Sequence, residues 1–329
     1  MSKITINEVA RIAGVSIGTV SRVLNNRADV NEQTRKQVLE VVRQLGYVPD
    51  AGARKLARGT RGLVAVAPFS SHASNSPYYA IIMDAVQEVL MQHGYTARVL
   101  EPSQADPSKV QAFIFPGLRL HDTRLEQLKE KGIPHVVIGR LIDQDTPWVD
   151  VDNFKGMQSS VLHLVKLGHT RIAHLTGSPI GQTTFDRLEA YHQTLADHNI
   201  EEDPDLILDG GFSELGGYRA VRQALEKGIE FTAIASASDE MAVGAIYALE
   251  DAGLRVPYDV SVTGFDDLEI AQVFRPALTT VKQPIRDVGH TAARMLLDLL
   301  ENRPAGHGLL PTELIVRSSS GPVKRMIKR

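Results

Sequence analysis

TINEVARIAGVSIGTVSRVLN, residues 5–25, is the pattern of two short helices joined by a tight turn. Thr5 followed by Glu8 is a capping box, in which the hydroxyl and the carboxylate satisfy backbone N–H groups at a helix start. Val9, Ile12 and Ala13 make one apolar face. Gly14 supplies a residue able to turn left-handed at a helix end, and Ser16 caps a second helix from Ile17 onward. The stretch predicts a helix-turn-helix. A helical hairpin that only packs on a neighbour is the alternative reading of these residues.

In the second helix Val20, Val23 and Leu24 share the buried side, which forces Ile17, Gly18, Ser21 and Arg22 outward. That outward composition suits a DNA major groove. Arginine forks onto guanine, an apolar tip meets a thymine methyl, and small residues let the backbone approach the bases. The first residues of such a helix lie nearest the base edges. Asn31 caps a third helix, with Val38, Val41, Val42 and Leu45 on one face and Gly46 at its end. Tyr47-Val48-Pro49 then breaks the helix. Residues 50–62, DAGARKLARGTRG, have helix-forming composition over about two turns, too short to be stable alone and expected to order only against a partner.

Charge supports that division. The whole chain of 329 residues carries −3, yet residues 1–60 hold ten Lys and Arg against five Asp and Glu. A basic head on an acidic body fits a phosphate-binding module joined to a soluble domain. The length implies two or three domains, and 43% hydrophobic residues are enough for substantial cores. Cysteine is absent, which removes disulfides, thiolate metal sites and cysteine nucleophiles. The N-terminus has no apolar leader and no apolar run approaches the eighteen or so residues of a membrane span, so a cytoplasmic protein is expected.

From Gly62 the texture changes to apolar strand-like runs alternating with amphipathic helices. The runs are GLVAVAPF, YTARVL, VQAFIFPG, HVVIGR, RIAHLTG, LILDGGF, AIASAS, VSVTGFDD, TTVKQP and TELIVRS. Buried strands separated by helices predict parallel sheets covered on both faces, and the number of units predicts two such sheets. One connection is anomalous. Nine residues, 101–109, separate YTARVL from VQAFIFPG, where a parallel crossover normally takes a dozen or more.

With these parts in order, the chain closely resembles the lactose-repressor family of bacterial transcription regulators. The resemblance rests on TINEVARIAGVSIGTVSRVLNN, VNEQTRKQV and LGYVPDAGARKLA in the head. In the body it rests on LVKLGHTRIAHLTG, DRLEAYHQTL, SASDEMAVGAIYALEDAGLRVPYDVSVTGFDD and PALTTVKQP. It implies an α/β protein: a three-helix head (1–48), a hinge helix (49–61), then two doubly wound parallel-sheet lobes of the periplasmic-binding-protein type (62–329). It also implies operator-binding residues. Ile17 and Gly18 match the positions that choose among operators, Arg22 a base-contacting arginine, and Thr5, Ser16, Thr19, Ser21 and Asn25 positions at the DNA. Leu56, with Ala53 on the same face and Lys55 on the backbone, matches the leucine wedged into the minor groove, a known way of kinking DNA. Asp50 departs from the family, which usually has Asn there.

For the body the resemblance implies a cleft that closes on a small molecule, with Arg187, Phe212, Ser238, Asp239, Asp266 and Gln283 at pocket positions and Tyr78 and Arg140 as further candidates. Asp239 has an alternative role as a helix cap, and Phe212 one as ordinary core. A carbohydrate effector is expected, with a nucleobase or nucleoside stacking on Tyr78 as the alternative. Either an inducer or a corepressor would close the same lobes. His163, His169 and His174 lack metal-ligand spacing and read as structural, and neither cofactor nor metal is implied. No G-x-S-x-G, Walker A or H-E-x-x-H occurs, which argues against an enzyme. A sugar-transport binding protein would have no use for the head. A homodimer on a palindromic operator is expected.

Overall fold

The computed structural model describes residues 5–24, 30–45, 62–67, 76–103, 106, 109–119, 122–141, 145–177 and 181–323. The chain divides into two units, Met1–Arg61 and Gly62–Arg329. The expectations for Asn25, Asp50, Ala53, Lys55, Leu56 and the hinge helix fall outside the described residues.

In the first unit α1 spans Ile6–Ile12, α2 Ile17–Leu24 and α3 Glu32–Gln44. The Glu8 carboxylate reaches back to accept the Thr5 N–H at 2.8 Å. Gly14 takes φ +62°, and Val15 N–H donates to Ala10 O across it at 3.1 Å. That bond closes the first helix on its own last carbonyls and sets the turn. Asn31 caps α3 by accepting from Gln33 N (2.8 Å) and Thr34 N (3.1 Å). Val9, Ala10, Ala13, Val20, Val23, Val38 and Val41 form the small core. Ile12 corrects the expected face: it is 48% exposed, and Ala10 takes its place beside Val9 and Ala13. Positions 9, 10 and 13 centre the apolar stripe about a hundred degrees of helix rotation away from position 12.

The second unit holds two six-stranded sheets. The first is built from β1 (Gly62–Val66), β2 (Tyr95–Val99), β3 (Val110–Pro116), β4 (His135–Ile138), β5 (Trp148–Val151) and β11 (His307–Leu310), in the order β11-β5-β4-β3-β1-β2 and parallel throughout. The second uses β6 (Ile172–Thr176), β7 (Ile207–Asp209), β8 (Ala233–Ser236), β9 (Ser261–Asp266), β10 (Thr279–Lys282) and β12 (Glu313–Ile315), in the order β12-β10-β9-β8-β6-β7. Only β12 runs antiparallel to its neighbour. Each sheet centre is apolar, with Val64, Val66, Ile114 and Val136 fully buried in one lobe and Ile234, Val262 and Val281 in the other.

Helices α4 (Pro77–Gln92) and α11 (Ile285–Leu300) pack together over one face of the first sheet. On the opposite face Leu125 and Leu128 of α5 (Thr123–Glu130), with Leu100 and Ile133, pack against Phe113 and Phe115. Among its described residues the 100–109 connection contains no helix, although it carries the chain from β2 past β1 to β3. In the second lobe α6 (Asn153–Lys166), α7 (Gln182–Asp197), α8 (Glu214–Glu226), α9 (Asp239–Asp251) and the short α10 (Glu269–Val273) surround the sheet. The chain passes between lobes three times, at Asp152, at Gln283-Pro284 and at Pro311-Thr312. The first and third passages are tied side by side, with Asp152 N–H donating to Leu310 O at 2.9 Å.

Candidate DNA-reading and effector-binding sites

In the first unit the α2 start is fixed by its own hydroxyls. Ser16 Oγ accepts Thr19 N–H at 3.1 Å and lies 2.9 Å from Thr19 Oγ1. This cap consumes donors that an isolated helix would leave open. It leaves Ile17, Gly18 and Arg22 exposed on one side, with Ser21 at the margin, while Val20 and Val23 face the core. An added Cβ at Gly18 would meet only Ser16 Oγ, at 3.6 Å, so the glycine is not required by packing. Its smallness serves the outward side. Gln37 Nε2 bonds Ala13 O at 3.1 Å and holds α3 against the turn.

In the second unit the C-terminal ends of β4 and β5 in one sheet, and of β6 to β10 in the other, bring polar side chains together. Ligands of open parallel sheets sit at such ends. Arg187, on α7, is 4% exposed and lies at the centre. Its guanidinium stacks on the Phe265 ring at 3.6 Å. Nε and Nη2 donate to Asn153 Oδ1 at 3.0 and 2.8 Å, and Nη1 donates to Ala237 O. The Asn153 amide in turn donates to the Asp150 carboxylate at 3.1 Å, and that carboxylate accepts Arg140 N–H at 2.8 Å. The chain Arg140, Asp150, Asn153, Arg187 thus runs from the end of β4 through the first passage between lobes into the second lobe. Burial lowers the Arg187 pKa from its ordinary value and raises that of Asp150.

Asp266 closes the other side. It ends β9 at φ +131°, a region costly for a residue with a side chain, and its Oδ1 accepts Gln283 Nε2 at 2.5 Å. Gln283 sits in the second passage between lobes, so this bond ties the site to the hinge. Burial raises the Asp266 carboxyl to about 7, against the opposing pull of Arg187. The Tyr78 hydroxyl is held above its ordinary pKa by burial and by the nearby Asp150 and Asp266 charges. Phe212 takes φ +54° and packs its ring where any Cβ on Gly177 would stand.

Two expected pocket residues also hold the fold around the site. Ser238, not Asp239, caps α9, accepting Met241 N–H at 3.2 Å. Asp239 is fully buried: its carboxylate accepts Leu268 N–H at 2.8 Å and Thr280 Oγ1–H at 2.5 Å. It joins α9, β10 and the loop after β9 behind the site, and Gly264 has no side chain because a Cβ would fall 2.2 Å from its Oδ1. Two contacts also cross between lobes. Arg140 Nη2 pairs with Asp186 at 2.7 Å, and Ser76 Oγ donates to Glu240 at 2.7 Å.

Asp150, Asn153, Asp186 and Glu240 were absent from the sequence reading. The signal for the first two was WVDVDN, whose alternation marks β5, too short to stand out. The three histidines are structural: His163 meets Ser320 Oγ, His169 meets Thr232 Oγ1 and Gly321 O, and His174 meets Ala235 O while stacked on Tyr191. Surface cavities of about 410 Å³ beside Leu254 and Tyr258 and about 170 Å³ beside Phe113 and Leu128 lie away from this site.

Two family models match the chain: bacterial regulatory proteins of the lacI family over residues 5–50, and the periplasmic binding protein-like domain over residues 161–320. The transcriptional regulator GalR of Escherichia coli K12 is 33% identical over 91% of this chain and 90% of its own length. The chain belongs to the lacI family. Among solved lacI-type structures, a transcriptional regulator CelR–cellobiose complex superposes with TM-score 0.73 at 30% identity, covering 96% of this chain and 99% of that one. The lac repressor dimer bound to operator gives 0.69 at 30% identity, covering 97% and 100%. These lacI relatives are regulators of transcription, and this chain is a DNA-binding regulator, not an enzyme. Among the described residues no helix is long and apolar enough to cross a membrane.

Proposed function

We propose that this regulator is a cytoplasmic homodimer that represses carbohydrate-utilisation genes and leaves a palindromic operator when a sugar binds between its lobes. The observation carrying the effector half is the continuous chain from Asp150 through Asn153 to Arg187, flanked by Asp266 and Gln283. A guanidinium with N–H groups left over from its bonds to Asn153 and Ala237, beside a carboxylate whose lone pairs can accept further donors, is a pair of tools for sugar hydroxyls. Tyr78 and Phe212 supply faces for sugar C–H groups. Three of these residues stand at passages between the lobes, so occupancy of the site and lobe angle are the same variable. The reading is supported by GalR as a relative and by the cellobiose bound in the CelR structure.

The DNA half rests on Ile17, Gly18 and Arg22 at the exposed start of α2, and on the operator-bound dimer of the lac repressor as a structural neighbour. One head covers a half-site, so a two-fold dimer matches a palindrome. The test is retardation of upstream DNA by the full chain, followed by calorimetry with sugars and purines. Specific retardation with sugar binding is the expected result. Specific retardation with purine binding alone would replace sugar by nucleobase, and failure to retard upstream DNA in preference to random DNA would overturn the repressor reading.

A further inference from the structure

The buried charges at the effector site are unbalanced. Asp150, Asp186, Asp239 and Asp266 are all at most 7% exposed, against Arg187 as the buried cation. Arg140 is half-exposed and engaged by Asp186, and Glu240 adds a half-buried carboxylate held by Ser76. Asp266 accepts from a neutral amide, Gln283, and Asp239 from a hydroxyl and a backbone N–H, so neither is bonded to a cation. Arg119 and Lys282, at the ends of β3 and β10, are exposed, where solvent screens them.

Burial already raises the carboxyls of Asp150, Asp239 and Asp266 above their ordinary pKa, and an anionic ligand group would crowd them further with one buried guanidinium, Arg187, to offset it, in surroundings where charges are poorly screened. A hydroxyl meets no such penalty. It donates to Asp266 and accepts from Arg187, and each of those groups retains hydrogen-bonding capacity among the described residues. We infer that the effector is an uncharged polyhydroxylated molecule and that the site rejects its phosphorylated and carboxylated derivatives. The regulator therefore senses a sugar before phosphorylation or oxidation, and the class of reaction that removes its signal includes phosphoryl transfer to a sugar hydroxyl. This inference rests on the carbohydrate reading above and narrows it.

The experiment is calorimetric titration of the full chain at pH 7.5 with matched pairs: galactose against galactose 6-phosphate and galacturonate, glucose against glucose 6-phosphate, cellobiose against cellobionate, ribose against ribose 5-phosphate. Hypoxanthine and adenine complete the series. The expected result is that a neutral sugar binds and its anionic partner binds at least 100-fold more weakly. Asp266→Asn should weaken the neutral sugar and reduce that ratio at least tenfold. An anionic partner that binds as tightly as its parent overturns the inference while leaving sugar sensing intact, and so does an unchanged ratio in D266N. Binding of purines alone, or of no compound in the series, overturns the carbohydrate reading on which it rests.

Discussion

Asp266 is held in a conformation costly for any residue with a side chain, is buried, and keeps a carboxyl raised to about 7. A carboxyl whose folded pKa exceeds its unfolded value near 4 contributes stability fully present below the unfolded value and lost as pH rises through the folded one. From pH 4 to 7, then, this group makes the body progressively less stable as pH rises. His174 acts in the opposite direction, since burial lowers it to about 4 and its contribution is lost as pH falls from about 6.5. The difference between parent and Asp266→Asn isolates the first effect. Thermal unfolding at pH 5 and pH 8 should show D266N gaining on the parent at the higher pH, and parallel curves would contradict the shift. In the other unit, Arg22→Ala should weaken operator binding about ten- to a hundredfold and flatten preference at one base pair of each half-site. Equal losses on specific and random DNA, in competition titrations, would remove direct readout by Arg22.

Between elements, the packing of α6 on the second sheet leaves no room at Gly156, where a Cβ would stand 2.8 Å from the Phe265 ring that carries Arg187. Gly156→Ala should cost about 1–3 kcal/mol and displace that ring. The check is a lowered Tm together with weakened sugar binding; a fall in Tm with sugar affinity intact would separate the ring from the site. Ser76 and Glu240 fasten α4 to α9 across the lobes. Removing the hydroxyl in Ser76→Ala leaves a half-buried carboxylate without its donor, which favours separation of the lobes. Small-angle scattering of the ligand-free variant should give a larger radius of gyration than the parent, and an unchanged radius would dismiss the latch. Much of this layout was legible in the sequence. Gly14, Ser16 and Asn31 announce their turn and caps, and runs such as VQAFIFPG are buried strands because both faces are covered. β5 and β11 were not legible. Each has four residues, β5 with Asp150 inside it and β11, the edge strand beside it, opening on His307-Gly308, and pairing with neighbouring strands rather than composition makes them strands. The ties of Asp239 were not legible for a related reason. Sequence shows a carboxylate at a helix start, while its tie to Thr280 and Leu268 depends on strands forty residues apart meeting.

For the molecule as a whole, in the proposed dimer a site whose residues stand at the passages between lobes would couple ligand to lobe angle, and a basic segment too short to order alone would couple lobe angle to DNA. Linkage makes that coupling reciprocal: a sugar that weakens operator binding by some factor is itself bound more weakly by the operator complex by the same factor. A tenfold effect is about 1.4 kcal/mol. The most direct measurement is therefore a paired titration on one preparation of the full chain. Operator affinity is read by fluorescence anisotropy with and without saturating sugar, and sugar affinity by calorimetry with and without saturating operator. The regulator described here gives two factors that agree and exceed one, with random DNA producing neither. Tight sugar binding that leaves operator affinity unchanged would contradict it.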